Sequence, residues 1–281
     1  MQRFYFDHNA TTPVLHEVLE ALIPVMAEDF GNASSIHQHG QRARQRLDEA
    51  RAGTAALLSS SAREIVFTSG GTEADNLAIF GIARGRHVVT TAIEHPAVLN
   101  ACGQLDATFV RPDANGIVDP DAVRRAIRND TALVSVMHVN NEIGTVQPIA
   151  ELARVAHEAG VTFHSDGVQA AGRLPVDVNA LGVDLYSISG HKLYAPKGAG
   201  ALFVRRGVAV APMLYGGRHE QQRRAGTENV PGCFALGLAC KSALRDFGAE
   251  AARVTALHDR LEAGVLKYVP DVRIVSGGAP R

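Results

Sequence analysis

Lys192 stands where few lysines do. An apolar run over residues 183–188 breaks into a turn, and the chain continues Ser189-Gly190-His191-Lys192 before a Pro-Lys-Gly turn. Most lysines lie on solvated faces. An amine at the end of a core strand instead suits one that must meet a ligand at a fixed point, as in a Schiff base with a carbonyl compound. A surface turn would explain an isolated His-Lys pair equally well, so the case rests on its company. Upstream, Ser69-Gly70-Gly71-Thr72 leads into a helical pattern. Glycines admit a close anion, a helix start offers unpaired N–H groups, and Thr72 adds a hydroxyl donor; together they can cup a phosphate. The same residues could simply cap a strand, and they form neither a Walker A loop nor GxGxxG. His95, before Pro96, can exchange protons or stack on a planar ligand, or merely begin a helix. Asp166, before Gly167, can face a protonated ring nitrogen, although Asp-Gly is also an ordinary turn. Asn140-Asn141 and Gln169 add amides.

These residues meet only if the elements before them deliver them to one edge. Apolar, β-branched runs at residues 64–68, 87–91, 108–110, 133–137, 161–164, 183–188 and 200–204 read as strands. The spacing predicts helices over about 13–28, with Pro13 opening the first, and over 37–58, 119–128 and 149–159. Further helices run through residue 83, after Pro96 and beyond residue 230. Strands alternating with amphipathic helices predict an α/β chain, with a mainly parallel sheet covered by helices on both faces. In such a sheet, ligands sit beyond the carboxyl ends of the strands. A phosphate cup, a flat imidazole, an amide, a carboxylate and an amine, all at strand ends, are the set that pyridoxal phosphate requires.

Composition narrows the setting. The 281 residues carry a formal net charge of −1, which gives no reason to expect nucleic acid or an acidic membrane as partner. No apolar run is long enough to span a bilayer, and the first residues do not read as a signal peptide. Three cysteines, Cys102, Cys233 and Cys240, include no CxxC pair, which predicts a reducing, cytoplasmic setting without disulfides or structural zinc. His37-Gln38-His39 lacks a third ligand and predicts no metal site.

Segments along nearly the whole chain resemble the cysteine desulfurases of the class V aminotransferase family: DHNATTPV, GNASS, EIVFTSGGTEADNLAI, EHPAV, MHVNNEIGTVQPI, HSDGVQ, SGHKLYAPKGAGALFVRR and RRAGTENV. SGHK with PKG, NNEIG and RAGTEN are specific to that branch. The resemblance implies the fold-type I architecture of pyridoxal 5'-phosphate transferases, and catalysis by Lys192, bearing the cofactor, with His95 stacked on its ring. It implies Asp166 at the ring nitrogen, Asn141 and Gln169 at the ring oxygen, and Gly71, Thr72, Ser189 and His191 around the phosphate. Thr227 would reach the phosphate of a neighbouring subunit, so a homodimer is expected.

The implied reaction converts L-cysteine to L-alanine, passing sulfur as a persulfide towards an acceptor or scaffold protein for iron–sulfur cluster or thio-cofactor assembly. The resemblance also divides the chain into an arm (1–12), a large cofactor-binding domain (13–246) and the incomplete start of a small C-terminal domain (247–281). In the family that small domain brings the nucleophilic cysteine and a carboxylate-binding arginine. None of the three cysteines here fits that loop; all fall in predicted helices, where they read as small buried hydrophobes. Other class V chemistry, such as transamination or selenocysteine lysis, and a silent dimerising or docking subunit are the alternatives.

Overall fold

The computed structural model describes residues 3–281. Seven strands form one sheet: β1 (Ile65–Thr68), β2 (His87–Thr91), β3 (Ala107–Val110), β4 (Thr131–Ser135), β5 (Thr162–Asp166), β6 (Leu185–Ser189) and β7 (Gly200–Val204). Their spatial order is β1-β7-β6-β5-β4-β2-β3. β7 is antiparallel to both of its neighbours, and every other pairing is parallel. Six strands therefore point the same way, and their carboxyl ends share one edge. The mainly parallel α/β sheet read from the sequence is present.

Side chains alternate between two cores, as strand pleating requires. Ile65 and Phe67 of β1, Tyr186 and Ile188 of β6, and Ala201 and Phe203 of β7 face one core. That core is covered by α1 (His16–Glu28), α2 (Gln38–Leu57), α5 (Pro120–Ala126), α6 (Ile149–Glu158) and the first turns of α7 (Val230–Tyr268). Val66, Leu185, Leu202 and Val204 face the other, beneath α3 (Gly71–Ala83) and α4 (Pro96–Cys102). Burial on both faces explains why the strands read as continuous apolar runs.

Most elements differ from the sequence reading by one to two residues at their ends, and two of the differences have a clear backbone reason. β5 runs on to Asp166, because its backbone still pairs with Ser187 of β6 and its carbonyl accepts from His138 N at 2.8 Å. Pro13 does not open α1, which begins at His16. Residues 12–15 are drawn out along the Lys192 turn instead: Thr12 N donates to His191 O at 2.9 Å, and Leu15 N to Tyr194 O at 3.0 Å. Among the described residues no helix is long and apolar enough to cross a membrane.

The turn after β5 is fixed by contact with β6. A Cβ on Gly167 would lie 2.0 Å from the ring of Tyr186, which is fully buried. Tyr186 cannot retreat, since its hydroxyl is 2.8 Å from His138 Nδ1. Gly167→Ala should therefore cost about 2–3 kcal/mol of stability through overpacking, read as a lower urea midpoint with an unchanged slope.

Candidate active site

Four strand ends supply the site. β1 ends at Thr68, and the chain turns through Ser69 and Gly70 into α3. Gly71 opens that helix against Val168 and Ser189: a Cβ there would meet Val168 Cγ2 at 2.9 Å and Ser189 Cβ at 3.5 Å. Val168 therefore packs directly against the helix start, and Ser189, buried at the end of β6, stands beside it. Thr72 is exposed beside it. Three residues past Ser189, Lys192 closes a short 3-10 turn, half-buried, with its Nζ donating to the Asn9 carbonyl.

β5 delivers Asp166. Its Oδ1 accepts from Val168 N at 2.9 Å, and its Oδ2 takes no hydrogen bond from the other described residues. Burial raises the Asp166 pKa, while the Val168 N–H, His95 and Lys192 pull it back down. His95 and Lys192 thus favour the Asp166 carboxylate, and Asp166 in turn favours the Lys192 ammonium. His95 follows β2 and caps α4, its Nδ1 accepting from Ala97 N at 3.1 Å while its ring lies exposed. Burial lowers the Lys192 pKa, with a further push from Arg173 that Asp166 and Asp7 oppose.

Behind these groups lies a buried polar layer. His164, two residues before Asp166 and on the same face of β5, sits between Ser135 Oγ (2.8 Å from Nδ1) and Ser187 Oγ (2.9 Å from Nε2). Burial lowers its pKa to about 3 and that of His138 to about 4, so both rings are neutral at physiological pH. Asp75 of α3 is 3.7 Å from His164 Nε2; burial, then the charge of Asp166, pushes its pKa well up. Glu94 accepts from Met137 N at 3.0 Å and from the Thr91 hydroxyl, while Oε2 stays buried and unpaired. Burial raises its pKa to about 8.

The remaining candidates separate. Gln169 lies by the lysine, its Nε2 donating to Asn9 O at 3.0 Å and its Oε1 accepting from Arg173 at 2.9 Å. His191 adjoins the arm, with Nδ1 at 3.1 Å from Thr11 Oγ1. Asn140 is consumed by structure: its amide donates to Ile93 O, and its carbonyl oxygen accepts from Glu142 N and Ile143 N. Asn141 makes only an amide contact to Glu142. Thr227 is exposed, in a turn anchored by Arg224, which pairs with Glu73 at 2.8 Å. Just upstream, Glu220, Gln221 and Gln222 all have positive φ. That costly run is held because the buried Glu220 carboxylate grips Arg51 at 2.6 and 2.8 Å and accepts from Phe67 N at 2.8 Å. Sequence reasoning missed Asn9, Asp75 and Arg173. The first acts through its backbone carbonyl, which residue type does not reveal. The signals for the other two were the TEAD spacing from Gly71 and the four-residue step from Gln169.

With this geometry in view, comparison with known proteins is direct. The class-V aminotransferase family profile matches residues 4–279. The chain belongs to that family. It is 46% identical over 278 residues to a cysteine desulfurase IscS of Dictyoglomus turgidum, covering 95% of this chain and 71% of that one. A cysteine desulfurase IscS of Methanosarcina thermophila is 48% identical over 273 residues, covering 94% and 68%. Among solved structures, a NifS-like protein from Rickettsia africae superposes with a TM-score of 0.94 at 34% identity, covering all of this chain and 79% of that one. SspA in complex with cysteine gives 0.83 at 40% identity, covering 85% and 72%. The chain thus has the fold-type I architecture and belongs to a family of pyridoxal 5'-phosphate enzymes of cysteine desulfurase type.

The Glu94 carboxyl yields a pH test. The folded chain keeps its proton up to about pH 8, whereas an unfolded glutamate releases it near its ordinary value of 4.5. Between those values the folded state binds more protons, so this group's contribution to stability falls as pH rises. Glu94→Gln removes that slope. Its stability relative to wild type should climb through this window by on the order of 5 kcal/mol and then level off, as followed by urea unfolding at several pH values.

Proposed function

We propose that this chain is a cysteine desulfurase that binds pyridoxal 5'-phosphate on Lys192 and acts on L-cysteine, with alanine and enzyme-bound sulfur as products. The observation that carries the reading is the convergence of Lys192, Asp166 and His95 at one sheet edge, where the charges of the lysine and the histidine act on the buried carboxyl. The residues fit the cofactor. The start of α3, where a Cβ on Gly70 would meet only Ser189 Oγ at 3.8 Å, can take a phosphate, with N–H groups of α3 at Gly71 and Thr72, Ser189 Oγ, Thr72 Oγ1 and His191 as donors. Asp166 Oδ2, which accepts no hydrogen bond from the other described residues, would face a protonated ring nitrogen, the exposed His95 ring would lie against the ring face, and the Gln169 and Asn141 amides would serve a ring oxygen.

When bound, the cofactor supplies an electron sink for the substrate Cα. The protein's share follows from its own groups. A lysine whose ammonium is disfavoured holds a fraction of free amine, so Lys192 Nζ can take the proton from Cα and return it. Asp166, whose charge His95 and Lys192 favour against burial, would hold a proton on the cofactor's ring nitrogen. His95 would support the ring face, and the buried layer of His164, Ser135 and Ser187 packs behind Asp166.

The finer parts of the proposal rest on other features. An exposed Thr227 on a loop clamped to α3 through Arg224 and Glu73 supports a homodimer in which that threonine serves a neighbour's phosphate. Free, buried cysteines support a reducing, cytoplasmic setting, and the sulfur would pass to iron–sulfur or thio-cofactor assembly. The arm, large domain and C-terminal portion would divide at residues 12 and 246. In support, α7 beyond its buried first half carries exposed Val254, Leu257 and Leu261 along one stripe.

One observation favours a second reading for residues 1–281 taken alone. Cys102, Cys233 and Cys240 are buried, and burial pushes each thiol up to about 12, so none offers a thiolate to a substrate sulfur. By itself this polypeptide would bind cofactor and dimerise without releasing sulfur.

Two assays test these readings. Borohydride reduction of the loaded chain should fix the cofactor on Lys192, and Lys192→Ala should abolish the adduct; an adduct on another lysine sinks the assignment. Sulfide and alanine release from L-cysteine by residues 1–281 should stay near background until a cysteine-bearing C-terminal segment is supplied. Robust turnover lost on Cys102→Ser, Cys233→Ser or Cys240→Ser would place the nucleophile within the chain.

A further inference from the structure

Arg173 is a half-buried cation whose hydrogen bonds all go to neutral oxygens. It lies four residues beyond Gln169, and its Nη1 donates to Gln169 Oε1 at 2.9 Å and to Gln169 O at 3.3 Å. Its Nη2 donates to two backbone carbonyls, His8 O and Lys192 O, each at 3.4 Å. The guanidinium therefore ties three pieces together: the turn after β5, the N-terminal arm and the backbone of the lysine itself. A carboxylate in that position would cancel most of the cation's field at Lys192. Carbonyl and amide dipoles bind the guanidinium without neutralising it, so its charge acts on the amine next door.

We propose that Arg173 is a positioning residue for Lys192: its guanidinium, bonded to the Lys192 and His8 carbonyls, holds the lysine turn against the N-terminal arm and disfavours charge on the lysine amine. The inference deepens the reading of Lys192 as the cofactor-bearing residue and rests on it. The groups that face Lys192 come from several elements. Arg173 approaches from the turn after β5, Asp166 from the end of β5, Asp7 and the Asn9 carbonyl from the arm, and His191 from its own turn. The two carboxylates favour the ammonium, while burial and Arg173 disfavour it, and the second pair prevails. Arg173 is suited to the task because a guanidinium stays protonated even where burial lowers its pKa. A second amine at this place would itself lose its proton more readily. The fork also holds the arm through His8 O, which keeps the Asn9 carbonyl on Nζ.

The test reads the lysine directly, without cofactor. The cofactor-free chain is labelled with an amine-reactive reagent from about pH 7 to about pH 10, and each lysine's labelling profile is followed by mass spectrometry. Lys197, in the exposed turn nearby, is the internal standard. In the wild type, Lys192 should reach half-maximal rate at a lower pH than Lys197. Arg173→Gln should move the Lys192 profile upward, cutting its rate at pH 8 by about fivefold while Lys197 is unchanged. Arg173→Lys, which keeps a charge but loses the fork, should lie between the two. A Lys192 profile that coincides with that of Lys197 in the wild type, or one that Arg173→Gln leaves in place, overturns the proposal. So does an Arg173→Lys profile identical to that of Arg173→Gln, since the charge would then do nothing. Should Arg173→Gln fail to fold, the wild-type comparison and Arg173→Lys still decide. In parallel, borohydride-fixed cofactor at pH 8 should fall with the labelling rate. If no variant fixes cofactor while the labelling shift persists, the cofactor reading has failed and the Arg173 inference stands.

Discussion

A carboxylate and an amine have to be taken out of water at the same sheet edge without either losing its function, and most of the structure answers to that demand. Asp166 sits at the end of a strand covered on both faces, where burial alone would hold its proton. It resists through one N–H bond from Val168 and the positive charge of His95 and Lys192. Lys192 faces the converse problem, since burial strips its charge while Asp166 and Asp7 pull towards restoring it. The pair is thus balanced by groups from β2, β5, the Lys192 turn and the arm. The neutral imidazoles behind them add packing and hydrogen bonds without adding charge, which a second buried cation would have upset.

The arm is more than a leading end. Residues 7–12 lie across the Lys192 turn through Asn9 O and Thr12 Oγ1 and are held from the turn after β5 by Arg173 at His8 O, and each of these bonds joins the first stretch of the chain to one far along it. That explains the extended path of Pro13. A helix starting there would have pulled Thr12 and Leu15 away from His191 and Tyr194.

Much of this was legible in residue types, because the signals that fix a parallel sheet are local. Apolar runs, glycine turns and capping residues placed the strands within a few residues of where they lie, and chemistry at their ends marked Gly71, His95, Asp166 and Lys192. What escaped was of a different kind. Asn9 contributes a carbonyl that any residue could supply, so its side chain carries no message. Arg173 reads as a surface arginine until the arm is seen to cover it. Asp75 looks like helix polarity until α3 is laid over His164. The extent of β5 depended on a ladder with β6 that no single segment encodes.

The reversed strand, β7, bears on how the molecule is assembled. β1 stands at the sheet margin and has β7 as its sole neighbour, with β5, β6 and the intervening helices synthesised in between. On a ribosome, β1 must therefore wait without a partner while the middle of the sheet assembles. It can be stitched in only after Gly200–Val204 has emerged. The turn that opens α3 is carried by β1, so the half of the pocket shaped for an anion would close late, after the lysine's half exists. Closing so long a loop is slow, and an unpaired apolar strand is exposed to capture by other chains meanwhile. Ligands that bridge the two halves would then act during biogenesis as well, by holding the latecomer in place.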